Sequence, residues 1–206
     1  MSKRPERIYP ITDRGLSGLS HVEQVRRLIA GGARFIQLRD KHASPAEFYA
    51  EAREALHLAR EHGVKIIIND RVDIALALGA DGVHLGQDDL PSAEARRLMG
   101  EQAIIGYSTH NLKQARLAIE QPIDYLALGP IFTTTTKADA DPVAELDTLR
   151  AVREIAEGLP IVAIGGINLH NIKRVFDAGA DSVAIISDIL AEPELISERF
   201  RNLSGV

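Results

Sequence analysis

The sequence contains no cysteine, which excludes disulfides, thiolate metal sites and thiol nucleophiles. It has no apolar run long enough to cross a bilayer as a helix, so a soluble protein with no membrane partner is expected. Basic excess is lacking too. The 24 Lys and Arg against 29 Asp and Glu leave a net charge of −5, the opposite of the footprint of a nucleic-acid surface. Local cationic pockets stay open. The first residues, MSKRPERIYP, carry charge into a strand-like segment without the apolar core or small-residue cleavage site of an export signal. A cytoplasmic location is expected. At 206 residues, 45% hydrophobic and 26% charged, the chain suits one domain with a large core, covering residues 1–206.

What the sequence has is one alternation from end to end. Short apolar runs that end in polar residues are IYPITD, FIQLRD, KIIIND, GVHLGQDD, AIIGYS, YLALGP, IVAIGG and SVAIIS, giving eight candidate strands. Segments of helical period separate them. The clearest helix is signalled by Ser44, Pro45 and Glu47, an N-cap, a first-turn proline and a capping-box acid. Phe48, Ala52, Ala55, Leu56 and Ala59 then make one apolar face, and Gly63 ends it. Further helices are expected over 22–30, 72–78, 92–99, 111–120, 146–157 and 171–178, with a last one near 194–201. Continuous apolar strands alternating with helices predict an α/β (β/α)8 TIM barrel, with a doubly wound open sheet as the alternative. A weak repeat agrees: GGARFIQLR, LGADGVHLG, QPIDYLALG and AGADSVAII each lead into an even-numbered strand.

In such a barrel chemistry sits at the carboxyl ends of the strands. QLRDK places Gln37, Arg39 and Lys41 at alternating positions, on one side of an extended segment. Two cations aimed at one mouth suit an anion, although charges at a solvated strand end read equally well. IIIND and HLGQDD end neighbouring strands, roughly 5 Å apart, so Asp70 and Asp89 can converge on a hard cation such as Mg²⁺. Plainer roles are an N-cap at Asp70 and a turn residue at Asp89. After the sixth run, four consecutive threonines precede Lys137. Thr134, Thr136 and Lys137 offer hydroxyl and ammonium donors suited to a diphosphate, on a loop long enough to be a lid, although taken alone the segment reads first as a hydroxyl-rich turn with a surface lysine. IGGIN and IISDI bring Gly166, Ile186 and Ser187 to the last two strand ends, where such barrels cradle phosphate, although Gly-Gly is often only a turn. His84 and His110, near strand ends, read as structural hydrogen-bonding residues.

The ordered series YPITD, QLRDK, IINDRVDIALALGADGVHLGQDDLP, GYSTH, GPIFTTTTK, AIGGI and AIISDI, from Tyr9 to Ile189, resembles the thiamine phosphate synthase family. The resemblance implies a transferase joining 4-amino-2-methyl-5-hydroxymethylpyrimidine diphosphate to hydroxyethylthiazole phosphate in its carboxylate form, releasing diphosphate through a pyrimidine carbocation. It implies that Gln37, Arg39, Lys41, Asn69, Ser108, Thr134, Thr136 and Lys137 contact the pyrimidine diphosphate, with Lys137, Arg39 and Ser108 catalytic. By the same resemblance Asp70 and Asp89 bind Mg²⁺ as cofactor, and Gly166, Ile186 and Ser187 hold the thiazole phosphate.

Two positions depart from the family pattern. Thr133 stands where proline is usual, and Glu145 lies near a usual glycine. The related thiazole tautomerase shares the barrel but lacks the second metal aspartate and the T-x-T-K loop, both present here. A non-catalytic barrel that binds thiamine intermediates retains the same ligands, and turnover separates it from the enzyme. A sugar-phosphate enzyme needs an acid–base pair at matching strand ends, and none is evident. A homo-oligomer is compatible with the sequence, which does not fix the oligomeric state.

Overall fold

The computed structural model describes residues 3–134 and 142–206. Eight parallel strands, each followed by helix, form the sheet: β1 (Ile8–Pro10), β2 (Phe35–Leu38), β3 (Lys65–Asn69), β4 (Gly82–Leu85), β5 (Ile104–Thr109), β6 (Tyr125–Leu128), β7 (Ile161–Ile164) and β8 (Ser182–Ile185). Ladders run from β2 round to β8 and on to β1. A bridge between Ile11 and Gln37, with Thr12 N donating to Gln37 O at 2.9 Å, joins β1 to β2. The sheet is therefore a barrel. An open doubly wound sheet, the alternative, has two free edges and is excluded.

The helices are α1 (Arg14–Ser17), α2 (His21–Gly31), α3 (Pro45–Glu61), α4 (Val72–Leu78), α5 (Ser92–Met99), α6 (Leu112–Ala118), α7 (Glu145–Ile155), α8 (Ile172–Asp177), α9 (Ser187–Leu190) and α10 (Ile196–Ser204). Helix α3 begins as its sequence dictates: Ser44 Oγ accepts from Glu47 N at 3.3 Å, and Glu47 Oε2 accepts from Ser44 N at 2.9 Å. The expected apolar face of α3 is buried. The last helix starts at Ile196, later than expected, because Pro193–Leu195 forms a 3₁₀ turn first. Short α1 lacks an apolar period and is not visible in the sequence pattern.

The internal repeat has a structural cause. In three of its four copies an aspartate sits just before an even strand: Asp81, Asp124 and Asp181. Their carboxylates accept, each at 2.8 Å, from Ile66 N, Ile105 N and Ile161 N at the start of the preceding odd strand. Each aspartate thus fixes the register of two adjacent strands at the barrel base, opposite the functional rim.

Two apolar layers follow from strands buried on both faces. The larger fills the space between barrel and helices, with Leu28, Ile66, Ile68, Leu126 and Val175 fully buried. The smaller fills the barrel itself and includes Tyr9, Phe35, Ile67, Ile104, Tyr125 and Val162. At 25 cal/mol per Å², each large aliphatic side chain so buried contributes about 1.5–3 kcal/mol. Two of the interior residues, Tyr9 and Tyr125, carry hydroxyls, and these lead to the rim.

Candidate active site

The rim opens into a cavity of about 510 Å³. Strand β2 delivers Gln37 to it, with Arg39 and Lys41 just beyond its end. Asn69 and Asp70 come from the end of β3, and Asp89 from the loop after β4. Ser108 arrives on β5 and Thr134 on the loop after β6, while Gly166, Ile186 and Ser187 close the opposite wall. All the sequence-predicted site residues within the described residues therefore share one cavity. Thr136 and Lys137 lie outside the described residues.

Asp70 holds an unusual backbone. Its φ is 61°, and Arg71 N donates to Asn69 O at 2.7 Å across it, closing a three-residue turn. A non-glycine residue in the left-handed region costs roughly 1–2 kcal/mol, and such strain clusters at functional sites. The turn aims the carboxylate back over the barrel, where it ion-pairs with Lys41. The expected capping alternative fails: Arg71 occupies the N-cap position of α4, with no side-chain cap bond.

Asp89 retains both readings. One carboxylate oxygen accepts from Gly86 N at 2.7 Å, building the turn. Its carboxyl also lies within hydrogen-bonding reach of Asp70. Burial, and then the like charge of Asp70, push the Asp89 pKa above the ordinary carboxylate range. Two carboxylates driven together are a pair that a hard cation relieves, and oxygen donors without sulfur suit Mg²⁺. Among the described residues no three His, Asp or Glu side chains form a complete metal cage. Two carboxylates fit an ion whose remaining ligands are water and phosphate.

Arg39 is fixed from β1. Its guanidinium pairs with Asp13 Oδ2 at 3.0 Å, while Asp13 Oδ1 accepts from Leu16 N at 3.0 Å and caps α1. The Arg39 backbone N–H donates to Thr12 Oγ1 at 3.2 Å. Asp13 thus spends its charge on orienting a cation at the rim, a role that only the proximity of β1 and β2 reveals.

Below the rim a chain of hydrogen bonds crosses the barrel. Gln37 Nε2 donates to Tyr9 Oη at 2.9 Å, and Tyr9 Oη lies 3.0 Å from Tyr125 Oη. Tyr125 Oη lies 3.0 Å from His84 Nδ1, and His84 Nε2 lies 2.8 Å from Ser108 Oγ. Gly106 makes room for it. A Cβ there would sit 2.0 Å from Tyr125 Cζ, so the tyrosine reaches past β5 and stacks on His84 at 5.6 Å and 21°. Burial lowers the His84 pKa to about 4, with Asp89 and Lys41 acting in opposite senses. Burial likewise raises both tyrosines well above their ordinary value. All three side chains are neutral near pH 7. The expectation of a structural hydrogen-bonding role held for His84 in that it makes these bonds, but they end on a cavity residue.

A family model described as thiamine monophosphate synthase matches residues 8–189. The chain belongs to the thiamine monophosphate synthase family. It is similar to the thiamine-phosphate synthase of Chloroflexus aurantiacus, 50% identical over 190 residues, covering 92% of this chain and 87% of the relative. The thiamine-phosphate synthase of Methanospirillum hungatei is 47% identical over 199 residues, covering 95% and 96%. Among solved structures, a thiamine phosphate pyrophosphorylase from Pyrococcus furiosus superposes with a TM-score of 0.87 at 37% identity, covering 99% of this chain and 95% of that one. Within the thiamine monophosphate synthase family, this chain's rim therefore has a defined context.

Proposed function

We propose that this protein is a thiamine-phosphate synthase that joins 4-amino-2-methyl-5-hydroxymethylpyrimidine diphosphate to hydroxyethylthiazole phosphate carboxylate at the rim described above. The observation that carries the reading is the convergence of Arg39, Lys41, Asp70 and Asp89 on one side of a cavity whose other wall is Gly166, Ile186 and Ser187. That arrangement offers one end to a metal-bound diphosphate and another to a monophosphate.

In this reading Gln37, Asn69 and Ser108 orient the pyrimidine, while Arg39, Lys41, Thr134, Thr136 and Lys137 hold the diphosphate. Mg²⁺, held by Asp70 and Asp89, would add positive charge to the leaving group. The bond from the pyrimidine methylene carbon to the diphosphate oxygen breaks, and its electron pair leaves with the diphosphate. The amino-substituted ring spreads the resulting positive charge. The thiazole nitrogen then donates its lone pair to the methylene carbon, forming the new C–N bond; the thiazole carboxylate departs as carbon dioxide, and the electron pair it leaves on the ring carbon takes up a proton from water. Preorganised cations stabilise departing negative charge more in a water-poor cavity than in bulk water, and no protein base is required. Neutral His84 suits this chemistry, since a buried imidazolium beside the ring would oppose a carbocation.

The test is incubation of the protein with both substrates and Mg²⁺, with chromatographic detection of thiamine phosphate and diphosphate. Formation of both at equal amounts is expected. No product under excess protein, with the pyrimidine diphosphate still bound, would replace the enzyme with a binding protein.

A further inference from the structure

The buried chain from Gln37 to Ser108 has a direction, and we propose that Tyr9, Tyr125 and His84 are positioning residues that make the Ser108 hydroxyl a hydrogen-bond donor to the substrate. This rests on the reading that Ser108 touches the pyrimidine.

The direction follows from counting protons. An amide nitrogen only donates, so Tyr9 Oη accepts from Gln37 Nε2 and must place its own hydrogen elsewhere. The acceptor beside it is Tyr125 Oη at 3.0 Å. Tyr125, having accepted, has His84 Nδ1 as the acceptor for its hydrogen. With Nδ1 accepting, neutral His84 carries its single hydrogen on Nε2 and donates it to Ser108 Oγ at 2.8 Å. The serine hydrogen is then left to point into the cavity that Ser108 lines. Gln37, which lines the same cavity, keeps its carbonyl oxygen at the other end of the chain. The cavity floor thus pairs an acceptor at Gln37 with a donor at Ser108. An aminopyrimidine presents the complement, an amino donor beside a ring nitrogen acceptor.

Burial gives the direction its force. Tyr9, Gln37 and Tyr125 are 1%, 2% and 0% exposed, so reversing one link without the others strands a hydroxyl or lone pair away from water. The chain reverses as a whole or not at all. Reversal would turn the Gln37 amide and the Ser108 lone pairs toward the substrate, the wrong polarity for an amino group beside a bare nitrogen.

The direction is read by nitrogen-15 NMR of the histidine-labelled, ligand-free protein, which distinguishes a protonated from a bare ring nitrogen. His84 is expected with hydrogen on Nε2 and a bare Nδ1. Hydrogen on Nδ1 would overturn the proposal. Kinetics supply the second readout. Tyr125→Phe removes the donor to Nδ1, and the KM for the pyrimidine diphosphate is expected to rise roughly tenfold, the worth of one ordinary hydrogen bond. The KM for the thiazole phosphate stays unchanged. In a Ser108→Ala background the same substitution is expected to add nothing, because it acts through that hydroxyl. Additive effects would assign Tyr125 a packing role and overturn the proposal. Tyr9→Phe, one link further back, gives the same test if Tyr125→Phe fails to fold. The tautomer is observed without substrate, so a failed chain and a failed functional reading separate: the first shows hydrogen on Nδ1 in an active protein, the second shows no turnover with Nε2 protonated.

Discussion

A Cβ placed on Gly166 would lie 2.6 Å from the carbonyl oxygen of Thr133. The two loops that close the cavity, after β6 and after β7, are therefore packed backbone against backbone. Ile131 N and Phe132 N donate to Ile164 O and Gly165 O at 2.9 and 3.0 Å, continuing the contact beyond the strands. Gly166 also has a φ of 63°. The glycine that the sequence suggested for a close approach to phosphate also makes, in the fold, a close approach to the loop bearing the threonines.

Gly166→Ala is accordingly expected to disturb both halves of the site. Overpacking costs about 1–3 kcal/mol and a left-handed alanine about 1–2. The KM values for both substrates should rise together. A rise for the thiazole phosphate alone would show that the loop after β6 does not depend on this contact.

Asp89→Asn tests the metal assignment. It keeps shape but loses the charge, so turnover is expected to fall on the order of 100-fold, with half-saturating Mg²⁺ raised and the fold intact by circular dichroism. Chelation of divalent ions from the unaltered protein should abolish turnover reversibly. Undiminished activity after exhaustive chelation would remove Mg²⁺ from the proposed chemistry.

Much of this was legible in sequence, and what was not has identifiable causes. The eight strands and most helices follow from local period, cap and terminator, which act over a few residues. The rim residues were legible because Gln37, Arg39 and Lys41 alternate on one strand end. Tyr9 and Tyr125 were not, because their contact joins residues 116 apart and exists only once the barrel closes. Asp13 was invisible for the same reason: its partner, Arg39, lies just past the end of the next strand. Nor does any local pattern announce the left-handed backbone of Asp70, which is imposed by the turn out of β3 rather than by aspartate itself.

Glu145 carries a similar burden with less reason. It opens α7 with a φ of 61°, the conformation for which glycine is the default, and its side chain is exposed. The usual family glycine near this position thus has a steric explanation. Glu145→Gly relieves roughly 1–2 kcal/mol of left-handed strain against a backbone-entropy cost of about 0.5–1. A net gain of about 1 kcal/mol is expected, or about 2–4 °C in Tm. A lower Tm would mean that the Glu145 side chain contributes more than its backbone costs.

The buried histidines make stability depend on pH. His84 has an ordinary pKa of 6.5, lowered to about 4 in the fold by burial, and buried His21 is shifted in the same direction, first by burial. As pH falls, the unfolded chain takes up these protons before the folded one does. Stability is therefore complete above pH 6.5 and declines progressively toward pH 4, where His84 itself becomes charged. For His84 the full loss is roughly 3–4 kcal/mol. Urea unfolding at pH 7, 5.5 and 4.5 should show this decline, and His84→Gln, which has no proton to gain, should show a shallower one. Equal slopes for the two proteins would mean that folded His84 takes up its proton as readily as the unfolded residue, and the neutral imidazole beside Ser108 would have to be abandoned.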